Sequence, residues 1–216
     1  CQRHNIFDAE QLILDRLVKR QQLNQRVGHF PGVVVVNRQL HLLNMGVRLE
    51  TLQHRYQRLP LRSYGLGRWR LRHLDVSPDG RVAVAMQYEG GKGDAVPLVG
   101  LLDGERLQPF EASTPMARRL RHYIGSIAFD RTGEVIAATA PRANRISLWD
   151  ARSGASLGVQ PVADGCGIAA LGAAGAFVAT GSSGRRYSVT AEQAPQELTA
   201  EPLAGDWDNH LVARAG

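Results

Sequence analysis

Cysteine is scarce in this chain. Cys1 and Cys166 are the two present in 216 residues, which excludes a disulfide framework and leaves open whether the two pair with each other. The redox compartment is therefore not fixed by cysteine use. Aromatics are also few, at 6%, and no apolar run approaches the ~20 residues needed to span a bilayer. Signatures of common catalytic and nucleotide sites are missing: there is no Cys-x-x-Cys, no His-Glu-x-x-His and no P-loop. Acids are rare at one end. Residues 1–72 carry 13 Lys+Arg against 4 Asp+Glu, whereas the rest carry 13 against 16, so the net charge of +6 conceals a basic segment on a mildly acidic body.

What is present is glycine, 23 residues of it, and it recurs in a pattern. Leu74 to Met86, Ile127 to Thr139 and Ile168 to Thr180 each read as an apolar strand, a tight turn and a second short apolar strand. Gly80, Gly133 and Gly175 supply the turns and stand 53 and 42 positions apart, close to the ~40–50 residue period of propeller blades. Arg145 to Asp150 is a third strand that enters a Ser-Gly turn at Ser153-Gly154, and Ala155 to Val159 resumes as a fourth. This Trp-Asp ending is the mark of a WD-type blade. Pro97 to Leu102, the Asp103-Gly104 turn and Glu105 to Leu107 play the same parts one unit earlier. The fold class is therefore all-β: a β-propeller with WD40-like blades, about three of them. Since closed propellers carry about 4–8 blades, three imply an incomplete ring, help from residues 1–70, or self-association.

Residues 1–70 offer little of that kind. Glu10 to Gln22 has the spacing of an amphipathic helix with Asp8 as its N-cap. Gly28 to Gly32 breaks it, and Val33 to Val36 reads as one strand. Gln39 to Leu61 then alternates Leu with His, Arg and Gln, without a blade period. We divide the chain into an atypical basic segment, 1–70, and the C-terminal blades of a propeller, 71–216.

The blade region resembles a bacterial propeller family known as domain of unknown function 1513. The resemblance is carried by Leu71-Arg72-His73-Leu74, Met86 to Gly90, Pro97 to Gly100 and Tyr123 to Asp130. It continues through Ala138 to Arg142, Cys166-Gly167 and Trp207 to Leu211, so it covers about residues 70–212. It implies a periplasmic protein of a kind often exported by a twin-arginine signal, similar to proteins encoded beside imelysin-like and iron-uptake components, with no established activity. Family members continue upstream with further blades and a Gly- and Asp-rich segment that residues 1–70 do not show. We accordingly read that segment as a shifted reading frame, a misassigned start or a disordered stretch, and not as a nucleic-acid arm.

Candidate binding residues follow from blade geometry. Loops that precede inner strands converge on one rim, where propellers commonly bind ligands. Those loops bring His73, Arg119, Tyr123 and His210 to that rim, and Arg142 joins them from the turn before a third strand. Arg suits carboxylates and phosphates. In Trp207-Asp208-Asn209-His210, strand alternation lets only Asp208 and His210 share a site, where they could hold a cation or polarise a ligand. The glycine-rich Gly90 to Asp94 lacks the spacing of a phosphate cradle and reads as a loop between blade strands. The expected function is non-enzymatic binding or scaffolding, with a periplasmic protein or a small anionic ligand as partner and no nucleic acid; no catalytic residue, metal or cofactor is assigned. The alternative is a lactonase- or oxidoreductase-like propeller enzyme with a metal in its funnel.

Overall fold

A computed structural model describes residues 29–30, 33–35, 68–103, 106–181, 183–198 and 211–213. The described part is almost wholly β. Blade 1 is β3 (Trp69–Val76), β4 (Val82–Tyr88), β5 (Val99–Asp103) and β6 (Arg106–Pro109). Blade 2 is β7 (Ser126–Phe129), β8 (Val135–Ala140), β9 (Arg145–Asp150) and β10 (Ser156–Pro161). Blade 3 is β11 (Gly165–Ala170), β12 (Phe177–Gly181), β13 (Arg186–Val189) and the short β14 (Gln196–Glu197). Each is a four-stranded antiparallel meander in chain order. The three inner strands β3, β7 and β11 lie side by side, and β11 also packs on β15 (Leu211–Ala213).

The fourth sheet is composite. Its strands are β1 (His29–Phe30), β2 (Val33–Val35) and β15, with Val212 opposite Val34. Val33–Val35 is the strand expected there from its sequence, and it pairs with the C-terminal strand, so the N-terminal segment does contribute to the β architecture. The helix expected over Glu10 to Gln22 and the unpatterned stretch Gln39 to Leu61 lie outside the described residues.

Alternation within each strand supplies two apolar faces per blade. Ala83, Ala85 and Leu101 of blade 1 meet Ile127, Ile136 and Trp149 of blade 2 in one core cluster, with Phe110 between them. Ala137, Ile146 and Leu148, from the other face of blade 2, meet Ile168, Phe177 and Val189 of blade 3. Many of these side chains are small, as the close approach of stacked sheets demands. Trp149 is fully buried and donates its indole N–H to Ser147 Oγ at 3.0 Å.

The turns follow the repeat. Gly80, Gly133 and Gly175 all have φ between +67° and +88°, conformations that a side chain would strain. The Trp-Asp ending works as its residue types suggest: Asp150 Oδ1 accepts Ser153 N–H at 2.7 Å and Arg152 N–H at 3.1 Å, closing the turn to β10. A bond from the Ser153 hydroxyl at 2.6 Å, ahead of those two amides, holds the Asp150 carboxyl below the usual carboxylate range. One element has no counterpart in the repeat pattern. Helix α1 (Thr114–Arg119), with a Pro in its first turn, fills the connection from β6 to β7 and buries Met116 and Ala117.

Candidate functional site

The rim at which the inner strands begin is built by local irregularities in otherwise regular blades. In blade 1 Leu71 pairs with Met86 and His73 with Ala85, so Arg72 is an extra residue in a β-bulge. The bulge shifts the phase of the strand. Trp69 and Leu71 before it, and Leu74 and Val76 after it, therefore pack on one apolar cluster, while Arg72 is turned out to solvent. Blade 3 repeats the device: Gly165 pairs with Gly181 and Gly167 with Thr180, which leaves Cys166 as the bulged residue. Its thiol donates to Asp164 O at 3.2 Å.

The connection into blade 2 carries the second irregularity. Arg121 and His122 are consecutive non-glycine residues with φ of 47° and 58°, a left-handed conformation that costs on the order of 1–2 kcal/mol per residue. Three contacts hold it. The backbone carbonyl of His122 accepts Tyr88 N–H at 3.0 Å, His122 Nε2 stands 2.7 Å from Asp94 O, and Arg121 Nη1 donates to Arg142 O at 3.2 Å. The loop Gly90 to Asp94 is itself tied down, because Asp94 Oδ2 accepts Tyr88 Oη–H at 2.6 Å and Gly91 N–H at 3.1 Å. The Tyr88 bond, ahead of the others, holds the Asp94 carboxyl below its ordinary range, and Asp94 in turn raises the Tyr88 phenol.

These features place Tyr123 at the centre of a cationic group. The Arg142 guanidinium lies 4.4 Å from its ring centre and that of Arg72 lies 5.4 Å from it; Arg72 also donates to Tyr123 Oη at 3.5 Å. Arg142 sits in a 3₁₀ turn, Pro141–Ala143, closed by Asn144 at φ 53°. Arg72, Arg121 and Arg142 are exposed. Among the described residues none of the three is ion-paired with a carboxylate: Glu89 of the same rim is taken by Arg70 at 2.9 Å, and the other pairs join Arg81 to Asp79, Arg152 to Glu134 and Arg185 to Glu197.

Of the residues singled out from sequence, Tyr123 and Arg142 are therefore in direct contact. His73 is half-buried in β3 beside the bulge, paired with Ala85 across the sheet. Arg119 ends α1 on an exposed surface, and among the described residues no contact joins it to Tyr123. Asp208 and His210 lie outside the described residues. Arg72 and Arg121 lie in the same two rim loops as the candidates His73 and Arg119, and they, not those neighbours, complete the group. The signal for Arg72 is in the sequence: apolar residues alternate at Trp69 and Leu71, then resume one position out of phase at Leu74 and Val76, which is how a bulge reads.

Contrary to the absence of catalytic signatures read above, Gly154-Ala155-Ser156-Leu157-Gly158 spells the Gly-x-Ser-x-Gly pattern of a nucleophile elbow. That motif works on a strand-to-helix turn, whereas here Ser156 opens β10, the exposed outer strand of blade 2. Among the described residues no three His, Cys, Asp or Glu side chains stand close enough together to hold a metal ion.

The opposite face, where the first hairpin of each blade turns, is organised around hydrogen bonds between blades. Arg81 Nη2 donates to Gly133 O at 2.8 Å and Arg81 Nε to Asp79 at 2.9 Å. Asp130 Oδ2 accepts Gly175 N–H of blade 3 at 2.9 Å, and Oδ1 accepts the amides of Glu134 and Val135. Burial raises the Asp130 carboxyl, but these bonds and that from Thr132 outweigh it and hold it below the ordinary range. Asp75 is different. It accepts Phe129 N–H of blade 2 at 2.7 Å, and although the residue keeps some exposed surface, its carboxyl is enclosed between blades. Burial pushes it up to about 6, against the lowering effect of the Phe129 and Val76 amides.

Four-stranded meanders, inner strands side by side and the Trp149-Asp150 ending of blade 2 together define a β-propeller of the WD40 kind. The chain belongs to the family described as Protein of unknown function (DUF1513), whose model matches residues 40–214. The match takes in residues 40–70, which the sequence reading sets apart. No curated protein matches the chain. Among solved structures it is similar to Kuenenia stuttgartiensis hydrazine synthase, at 13% identity and a TM-score of 0.50 over 65% of this chain and 38% of that one. It is also similar to the C-terminal WD40 domain of Sif2, at 17% identity and a TM-score of 0.46 over 63% and 36%. A chain of a nidogen/laminin complex gives 16% identity and a TM-score of 0.47 over 67% and 53%. The chain thus spans between 36% and 53% of the length of these structures. Likeness at such identity shows the fold alone. Among the described residues no helix is long and apolar enough to cross a membrane.

Proposed function

We propose that this chain is part of a non-enzymatic binding module of the periplasm, whose rim takes a small anionic ligand, free or carrying a metal, or an acidic patch on a partner protein. The observation that carries this reading is the convergence of Arg72 and Arg142 on Tyr123 without a neutralising carboxylate among the described residues. Clustered like charges repel, and an anion relieves that repulsion as it binds. The periplasmic setting and the link to iron uptake come from the family resemblance. Calorimetric titration of citrate into the full chain, at low and at moderate salt, tests the rim. Binding that weakens with salt and disappears in Arg72→Ala/Arg142→Ala is expected; equal heat from the double variant contradicts the assignment. Fractionating cells that express the whole gene product tests the compartment, and recovery in the cytosol would count against it.

A further inference from the structure

Resting on that reading, we propose that Arg72, Arg121 and Arg142 form one site for a dianionic oxyanion that bridges blades 1 and 2. The three side chains come from three separate pieces of chain. Arg72 projects from the bulge in β3 of blade 1, Arg121 from the left-handed connection, and Arg142 from the 3₁₀ turn after β8 of blade 2. Tyr123 is the platform between them. A guanidinium that lies over a ring is held by its face, which leaves its edge N–H groups directed outward. For Arg142 that edge is unused, since among the described residues its guanidinium has no hydrogen-bond acceptor. Arg72 spends one donor on the Tyr123 hydroxyl, at the long distance of 3.5 Å. Arg121 is fixed through Nη1 on the backbone carbonyl of Arg142 and is itself exposed.

Two guanidinium carbons at 4.4 and 5.4 Å from one ring centre are at most about 10 Å apart, a span that the two ends of one small dianion reach with charge-assisted bonds to both forks. A monoanion satisfies one fork, whereas a dicarboxylate or a phosphate satisfies both with charge-assisted bonds. The strained φ values at Arg121 and His122 are a second, independent sign. Such backbone strain is kept where the surroundings over-determine it, and it gathers at ligand clamps. Here it is what aims Arg121 back at Arg142. Other groups on this rim are engaged: Glu89 with Arg70, Asp94 with Tyr88 and His122 with the Asp94 carbonyl.

The test is calorimetric titration of the full chain with acetate, succinate, inorganic phosphate and citrate at one fixed low ionic strength. The dianions should bind about tenfold or more tightly than acetate, and Arg72→Ala or Arg142→Ala alone should reduce a dianion to the affinity of acetate. Arg142→Lys keeps the charge but not the flat fork, and should recover only part of the difference. Phosphate without succinate, or succinate without phosphate, tells which oxyanion the spacing suits; both support bridging. Acetate binding as tightly as succinate overturns bridging while leaving the rim as the binding surface. Dianion binding unchanged in Arg72→Ala/Arg142→Ala, with the variant still melting cooperatively, overturns both.

Discussion

The two ends of the blades treat arginine in opposite ways. On the hairpin-turn face Arg131 of the β7–β8 turn is exposed, but the arginines that bridge turns are occupied, Arg81 with Asp79 and the Gly133 carbonyl and Arg152 with Glu134. Its carboxylates are likewise saturated by backbone amides, as in Asp130 and Asp150. At the rim, Arg70 and Arg185 are paired with acids, whereas Arg72 and Arg142 lie against Tyr123 and, with Arg121, are exposed. The turn face is regular in its hydrogen bonding and holds one blade to the next. The rim carries the bulge and the paired left-handed residues. In one repeat, then, hydrogen bonds between blades mark the end that supports the fold, and unpaired charge with local strain marks the end where we propose that a ligand binds.

This contrast can be strained from the structural side first. Gly154 has φ 71°, and a Cβ there would stand 2.6 Å from Phe110 Cδ1, at the junction of blades 1 and 2. Gly154→Ala should therefore cost about 2–4 kcal/mol, from left-handed strain together with overpacking. Denaturant unfolding measures it, and a loss under about 0.5 kcal/mol would show that the turn face yields more easily than its packing suggests. A smaller effect concerns Asp75. Its folded value of about 6 lies above the ordinary 3.8, so the folded state holds a proton that the unfolded chain releases. The resulting stabilisation is complete below about pH 3.8 and is lost as pH rises through about 6. Asp75→Asn should accordingly gain up to about 2–3 kcal/mol at pH 7.5 and almost nothing from this source near pH 3.5. Melting curves across that range check it; a gain that does not vary with pH would contradict the enclosed carboxylate.

Much of the fold was legible because blade order depends on features that sequence displays directly. Gly80, Gly133 and Gly175 mark positive-φ turns, and short apolar strands flank them. Trp149-Asp150 marks a strand end, since only a short acceptor can cap the following turn. Helix α1 was not legible: six residues with one proline, inserted once, have neither a period nor a counterpart in the other blades. Sequence reading reached Tyr123 and Arg142 at the rim because loop equivalence puts them there. It passed over Arg72 because alternation assigns every residue to one of two faces, and a bulged residue obeys neither. Arg121 depends on backbone strain, which no residue type in Leu120-Arg121-His122 announces. Asp75 looked like an ordinary strand residue; its enclosure arises from the neighbouring blade, far away in sequence.

The smallest stability effect is the most telling about the two ends. The decisive measurement sets Arg81→Ala beside Arg142→Ala, recording for each the melting temperature and the affinity for succinate. Arg81→Ala should lose about 1–2 kcal/mol of stability, by breaking its bonds to Gly133 and Asp79, and keep its affinity. Arg142→Ala should stay within about 0.5 kcal/mol of the parent and lose the dianion. The reverse pattern, with Arg142 needed for stability and Arg81 for binding, would contradict the division between a fold-holding face and a ligand-taking rim.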